Sequence, residues 1–356
     1  MPRHLFLAVS GHGFGHLTQA ALVVNELRRR QPRLTLTVQC DLPPEILQRR
    51  LNGKFRLIRQ AGDIGMLMED ALTVRVEASL TAHLDLHRDW PRRLERQTAL
   101  LERHRPDLLL ADVPYLPLAA AARLELPAVA LCSLHWAAIL GHYCPATPPG
   151  ILETMLAAYR SAQVFLRPTP AMPMAELGNV RDIGPLAILG RNRRREVETL
   201  LDLAPGQRLV LVALGGVDTP LPLERWPRVA GLNWLVPGRV AAGREDFPPW
   251  QAVAHLPFAD LLNSCDALLT KPGYGAFTEA ACNGVPVLYV ERGDWPESPW
   301  LEDWLKAHGR SRQISRQALH QGRLADTLEQ LLSLPPKPRP RPNGIGQGAD
   351  WLEGWL

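Results

Sequence analysis

The stretch Ser10–Leu27, SGHGFGHLTQAALVVNEL, follows the apolar run LFLAV (Leu5–Val9) and decides how the first half of the chain is read. The run is strand-sized and bounded by glycine, as a parallel strand covered on both faces is. Gly11, Gly13 and Gly15 make a turn, and from Leu17 to Arg30 the residues Ala20, Ala21, Val24 and Leu27 fall on one helical face. Strand, glycine turn and helix usually cradle a phosphate. His16 stands where a dinucleotide fingerprint needs its third glycine, so that fingerprint is broken, although Asp41 sits near where a ribose-binding acid would be. At the entry to the helix, on the carboxyl edge of a sheet, His16 is placed to act as a general base. The bland alternative is a histidine that caps the helix or packs on the turn.

The alternation continues. Leu34–Cys40, Asp107–Asp112 and Ala128–Ser133 read as strands, with helices over Trp90–His104 and Leu116–Leu124. The segment VRDIGPLAILGRNRRR (Val180–Arg195) reads as a junction, because it combines Gly184-Pro185, Gly190 and a basic run. Strands then resume at Arg208–Gly216, Asp266–Thr270 and Val285–Val290, with a helix from about Phe277 to Asn283. This α/β pattern predicts two doubly wound, Rossmann-like domains facing a central cleft, over residues 1–186 and 187–335. Residues 336–356 form a tail. The stretch LPPKPRPRPNGIGQG, from Leu334, is expected to be neither helix nor strand. The closing DWLEGWL either docks on the first domain or frays.

At 356 residues the chain suits two domains, and 46% hydrophobic with 21% charged residues excludes wholesale disorder. A net charge of +4 is too mild to imply nucleic acid, and Arg28–Arg30 reads as a solvated helix end. Cys40, Cys132, Cys144, Cys265 and Cys282 show no metal spacing and read as buried thiols of a cytoplasmic protein. The N-terminus has no signal-peptide pattern, and no run of 18 apolar residues occurs; peripheral membrane contact stays open. His83, His87, His135 and His142 lack metal-ligand spacing and read as ordinary polar or packed residues.

The second glycine site is DALLTKPGYGAFTEAACNGVPVLYV (Asp266–Val290). Gly273 and Gly275 let the backbone approach an anion, helix-end amides point at it, and Lys271 adds a full charge. Glu279 has the reach to accept two ribose hydroxyls, and Gly215-Gly216 offers a further backbone loop. The plainer reading is a strand–helix turn with a solvated lysine.

Together these motifs resemble the GT-B glycosyltransferases over nearly the whole chain. Lys271, Gly273, Gly275, Ala276 and Glu279, with Tyr274 inside the turn, resemble the donor signature of UDP-glycosyltransferases and of the peptidoglycan N-acetylglucosaminyltransferase. His16 matches the family's catalytic base, Asp112 the carboxylate that orients it, and Gly13 and Gly15 the turn on the acceptor side. The narrower resemblance is to stand-alone bacterial relatives of the glycosyltransferase-like N-terminal region of plant L-arabinokinases, which combine GHGFGH, K-x-GYG-x-x-x-EA and a terminal NG-x-G, here Asn343–Gly346. In two departures, Glu297-Ser298 replaces the acid–glutamine pair that holds donor-sugar hydroxyls, and Lys271 replaces a histidine or arginine.

The resemblance implies an inverting, metal-independent glycosyltransferase. It would use a nucleotide-sugar donor, a UDP-sugar being the first expectation, and no cofactor. The acceptor is a sugar, a lipid-linked sugar or a small aglycone, bound by loops around Gly62–Asp89 and His135–Leu156. No D-x-D triplet is present. The alternatives are a nucleotide-sugar sensor that transfers nothing and an epimerase or hydrolase on the same fold.

Overall fold

The apolar runs become parallel strands in a computed structural model that describes residues 2–215, 219–238 and 243–356. The chain divides into two units. One comprises Met1–Glu69, Thr73–Leu186 and Asn343–Leu356; the other comprises Asp70–Leu72 and Ala187–Pro342.

Among the described residues, the first unit carries a sheet of seven strands: β1 (His4–Val9), β2 (Thr35–Gln39), β3 (Arg56–Ile58), β4 (Leu108–Asp112), β5 (Ala128–Leu131), β6 (Val164–Pro168) and β7 (Val180–Ile183). Their order is β3-β2-β1-β4-β5-β6-β7, and every neighbouring pair is parallel. The central strands are buried along almost their whole length, which is why they read as unbroken apolar runs rather than alternating ones. The strand order reverses between β1 and β4, and such a reversal leaves a crevice at the carboxyl ends of the two strands.

The second unit repeats the device. Its strands are β8 (Arg208–Ala213), β9 (Leu232–Leu235), β10 (Ala267–Thr270), β11 (Val287–Val290) and β12 (Ser311–Ile314), in the order β12-β11-β10-β8-β9 and again parallel. Here the reversal falls between β8 and β10. Val210, Val212, Trp234, Leu269, Leu288 and Val290 form its core. Leu72 joins that core and its carbonyl accepts from Arg316 Nη2 at 2.8 Å, which ties Asp70–Leu72 to this unit. The helix Tyr274–Asn283 starts earlier than the expected Phe277, because Gly273 is an extended N-cap and Gly275 sits within the first turn.

Two expectations are corrected. Residues 336–356 do not form a separate tail: the stretch up to Pro342 belongs to the second unit, and Asn343–Leu356 to the first. There GIGQG is helical, within Gly344–Glu353. Its glycines serve close packing, since a Cβ on Gly348 would lie 2.9 Å from Val23 and one on Gly344 would strike the Gly184 carbonyl. Gln347 accepts from the Gly184 N–H at 2.7 Å. Nor is Arg28–Arg30 merely a solvated end. Arg30 donates to Asp350 at 2.5 Å, to Glu353 at 3.0 Å and to Glu26 at 2.8 Å, while Arg28 Nη2 donates to the Lys54 carbonyl at 2.9 Å. No helix among the described residues is long and apolar enough to cross a membrane.

The tight seat of this last helix has a measurable consequence. Gly348→Val is expected to lower unfolding stability by about 1–3 kcal/mol through overpacking. Gly354→Ala, whose nearest neighbouring atom lies 3.5 Å from the added Cβ, should change it by less than about 0.5 kcal/mol. Denaturant titration of both variants checks this.

Candidate active site

In the first unit the chemistry is assembled where β1 and β4 end together. Val9 pairs with Asp112 in register, and the Ser10 N–H donates to the Asp112 carbonyl at 2.8 Å. The chain then turns through Gly13, at φ 74°, a left-handed conformation that favours glycine, and enters the helix Gly15–Arg30. His16, in the first turn of that helix, hydrogen-bonds Asp112 Oδ1 through Nδ1 at 3.0 Å. An ionised carboxylate only accepts, so Nδ1 carries the proton and Nε2 keeps a lone pair. Asp112 is fully buried and His16 almost so. Burial pushes the Asp112 carboxyl up, to about 6, against the pull of the His16 hydrogen bond. A Cβ on Gly13 or Gly15 would meet no heavy atom of the described residues within 4 Å, so the turn borders open space.

Three residues around this pair carry no site role in the sequence reading. Asp63 is buried and accepts from Trp136 Nε1 at 2.6 Å and from Ser10 Oγ at 3.1 Å. Burial raises its carboxyl to about 6, opposed first by the charge of His16. The Trp136 ring lies 5.3 Å from that of His16 and 5.0 Å from that of His12. The Cys132 thiol is 3.5 Å from His16 Nδ1. Spacing alone does not bring these residues to the site: Asp63 comes from the loop after β3, and Cys132 and Trp136 from the connection after β5; the available signal is that Asp63 and Trp136 fall in the two segments expected to bind the acceptor. Among the described residues, His16, Asp112 and Cys132 are the trio whose ligand-type atoms lie within 4.8 Å of one another, and the Nδ1 hydrogen bond accounts for that closeness.

In the second unit the corresponding edge lies at β8 and β10. Gly215, at φ 97°, follows β8, and a Cβ there would sit 3.4 Å from Lys271 Cε. Lys271 follows β10 directly. It is half-buried, and burial, then the nearby Arg292 charge, lowers its ammonium to about 7 against the pull of Glu297. Gly273 caps the helix Tyr274–Asn283 without a side-chain hydrogen bond, so the first-turn amides of Tyr274, Gly275 and Ala276 are not capped from that residue. Tyr274 and Glu279 are buried on the same helix, and a Cβ on Gly275 would meet nothing within 4 Å among the described residues. Glu297, also buried, accepts from Trp295 Nε1 at 3.2 Å. Gly216, the remaining candidate, lies outside the described residues.

The other histidines have structural partners. His83 Nε2 donates to the Gly65 carbonyl at 2.8 Å. His135 caps the helix Trp136–Tyr143 through Nδ1 and reaches Glu176 through Nε2 at 2.7 Å. His87 stacks on Trp90 at 5.0 Å. Asp41 lies against Gly11, where a Cβ would be 2.0 Å from its Oδ1.

No protein-family model matches the chain. The L-arabinokinase of Arabidopsis thaliana is 28% identical over 349 residues, which is 94% of this chain and 33% of that protein. The chain thus spans about a third of its relative's length. Among solved structures, CalG4, the calicheamicin glycosyltransferase, superposes with a TM-score of 0.64 at 19% identity, over 100% of this chain and 99% of that one. LpCGTa in complex with UDP gives 0.59 at 16%, over 99% and 94%. UGT71G1 of Medicago truncatula, complexed with UDP-glucose, gives 0.56 at 13%, over 98% and 93%. With its two parallel sheets, the chain has the α/β fold of the GT-B glycosyltransferases.

Proposed function

We propose that the chain is a glycosyltransferase that moves a sugar from a nucleoside-diphosphate donor to an acceptor hydroxyl, with inversion and without a metal. The observation that carries this reading is the His16–Asp112 hydrogen bond of 3.0 Å, buried at the strand reversal of the first unit. Burying a carboxylate is costly, and a sensor that only binds has no evident need for an oriented base. His16 Nε2 takes the proton of the acceptor hydroxyl, and the oxygen attacks the anomeric carbon. The carbon–oxygen bond to the diphosphate breaks, and its electron pair leaves with the phosphate oxygen. Asp112 holds the tautomer and stabilises the imidazolium. In the second unit Lys271 and the helix-end amides take the growing negative charge on the diphosphate, the Gly215 loop lies alongside, Glu279 binds the ribose and Glu297 the donor sugar. A UDP-sugar is the first choice, supported by the UDP and UDP-glucose in two of the fold neighbours. All five cysteines are buried thiols, which supports a reducing, cytoplasmic setting.

Calorimetric titration with UDP-, dTDP- and GDP-sugars, without added metal, tests the donor side. Glu279→Ala should weaken donor binding by about 1–3 kcal/mol. His16→Ala should leave donor affinity within a few-fold yet abolish transfer, and Asp112→Asn should slow turnover roughly 10²–10⁴-fold. Equal loss of donor binding in the His16 and Glu279 variants would sink this division of roles; donor binding with no transfer to any acceptor, in wild type and variants alike, would favour the sensor.

Two pH dependences follow. The Asp112 carboxyl sits near 6, so protonating it removes the partner of Nδ1, and turnover should fall on the acid side below about pH 6. Lys271 must be protonated to hold an anion. With its free ammonium near 7, donor binding should take up a proton and weaken as pH rises above 7, by up to about tenfold per unit. Calorimetry in buffers of different ionisation enthalpy reads that proton directly.

A further inference from the structure

The ligand edge of the second unit carries one cation more than its sequence motif accounts for. β10 and β11 are adjacent and parallel, with Thr270 opposite Tyr289. Lys271 leaves the end of β10, and Arg292 follows closely on the end of β11, so both cations emerge at the same edge of neighbouring strands. Arg292 is only 5% exposed. Its guanidinium carbon lies 3.8 Å over the Trp295 ring, and Trp295 in turn donates to Glu297, also 5% exposed. That contact anchors the guanidinium on the indole face.

Two cations at one edge suit an anion. Lys271 and Arg292 stand close enough for the charge of one to be felt by the other, and Glu297 lies near them. Cations held side by side repel, and an anion bound between them relieves that repulsion. Lys271 responds to that crowding: the Arg292 charge is second only to burial in lowering it. A guanidinium, by contrast, stays charged at every working pH and fits two phosphate oxygens at once.

We propose that Arg292 is a second anion ligand of the donor pocket, gripping the diphosphate beside Lys271 while anchored on Trp295. This rests on the donor-site reading given above. As the bond from the anomeric carbon breaks and its electron pair passes to the phosphate oxygen, Arg292 meets the new charge, and it does so above neutral pH, where Lys271 is losing its proton.

The test compares ligands that differ only in phosphate count: UDP, UMP and uridine, with GDP, GMP and guanosine as a parallel series, titrated into wild type, Arg292→Met and Arg292→Lys. Arg292→Met should weaken the diphosphate roughly 10–100-fold, the monophosphate less and the nucleoside not at all. Arg292→Lys, which keeps the charge and most of the volume, should fall between and preserve the melting temperature if the methionine variant fails to fold. Unchanged diphosphate affinity in the folded variants overturns the proposal, and so does an equal loss for nucleoside and diphosphate, which marks a purely structural arginine. Should wild type bind neither series, nor dTDP, the donor-site reading itself falls and takes this one with it; binding by wild type with no effect at Arg292 leaves that reading intact.

Discussion

The pairing of β1 with β4 is the constraint on which the chemistry of the first unit depends. Parallel register puts Val9 opposite Asp112, and the backbone hydrogen bond from Ser10 to the Asp112 carbonyl locks the ends of the two strands together. From that fixed point a short glycine turn delivers His16 to within 3.0 Å of the Asp112 carboxylate. A slip of one residue would send Asp112 to the opposite face of the sheet and leave a buried charge without its partner. The imidazole owes its tautomer and its aim to a contact between residues almost a hundred positions apart.

The same logic is used twice. In each unit strand order reverses once beside the strand that opens the α/β repeat, and there the connecting chains diverge to opposite faces. Side chains and helix amides at those carboxyl ends therefore border space rather than packed core. Gly13 and Gly215 adopt left-handed backbone there, which lets the chain turn away from the strand without a Cβ to obstruct it. The two edges then diverge in chemistry. The first concentrates buried carboxylates, Asp63 and Asp112, around His16; the second concentrates cations, Lys271 and Arg292, with Glu297 beside them. Basicity suits proton removal, and positive charge suits a departing diphosphate.

Packing explains what looked irregular in the sequence. The glycines of Gly344–Gly348 appeared to rule out a helix, yet they allow one to lie close against Gly15–Arg30, and Arg30 anchors it through Asp350 and Glu353. Helix propensity is a weak prior that tertiary contact overrides.

Much of the fold was legible in the sequence because parallel strands buried on both faces must be apolar throughout and must end in turn residues. That pattern marked β1, β4, β8, β10 and β11, and local spacing marked the turns that carry His16, Lys271 and Glu279, since each lies within a few residues of its glycines. Asp63, Trp136, Cys132 and Arg292 were not legible. Their roles come from neighbours supplied by other strands and loops: Trp136 over His16, Ser10 on Asp63, Lys271 beside Arg292. The sequence by itself determined which segments are strands, turns and helices, because hydrophobic period and glycine placement act locally. Only the tertiary structure decided which charges share a low-dielectric edge, because Coulomb interaction and desolvation depend on distance in space and not along the chain.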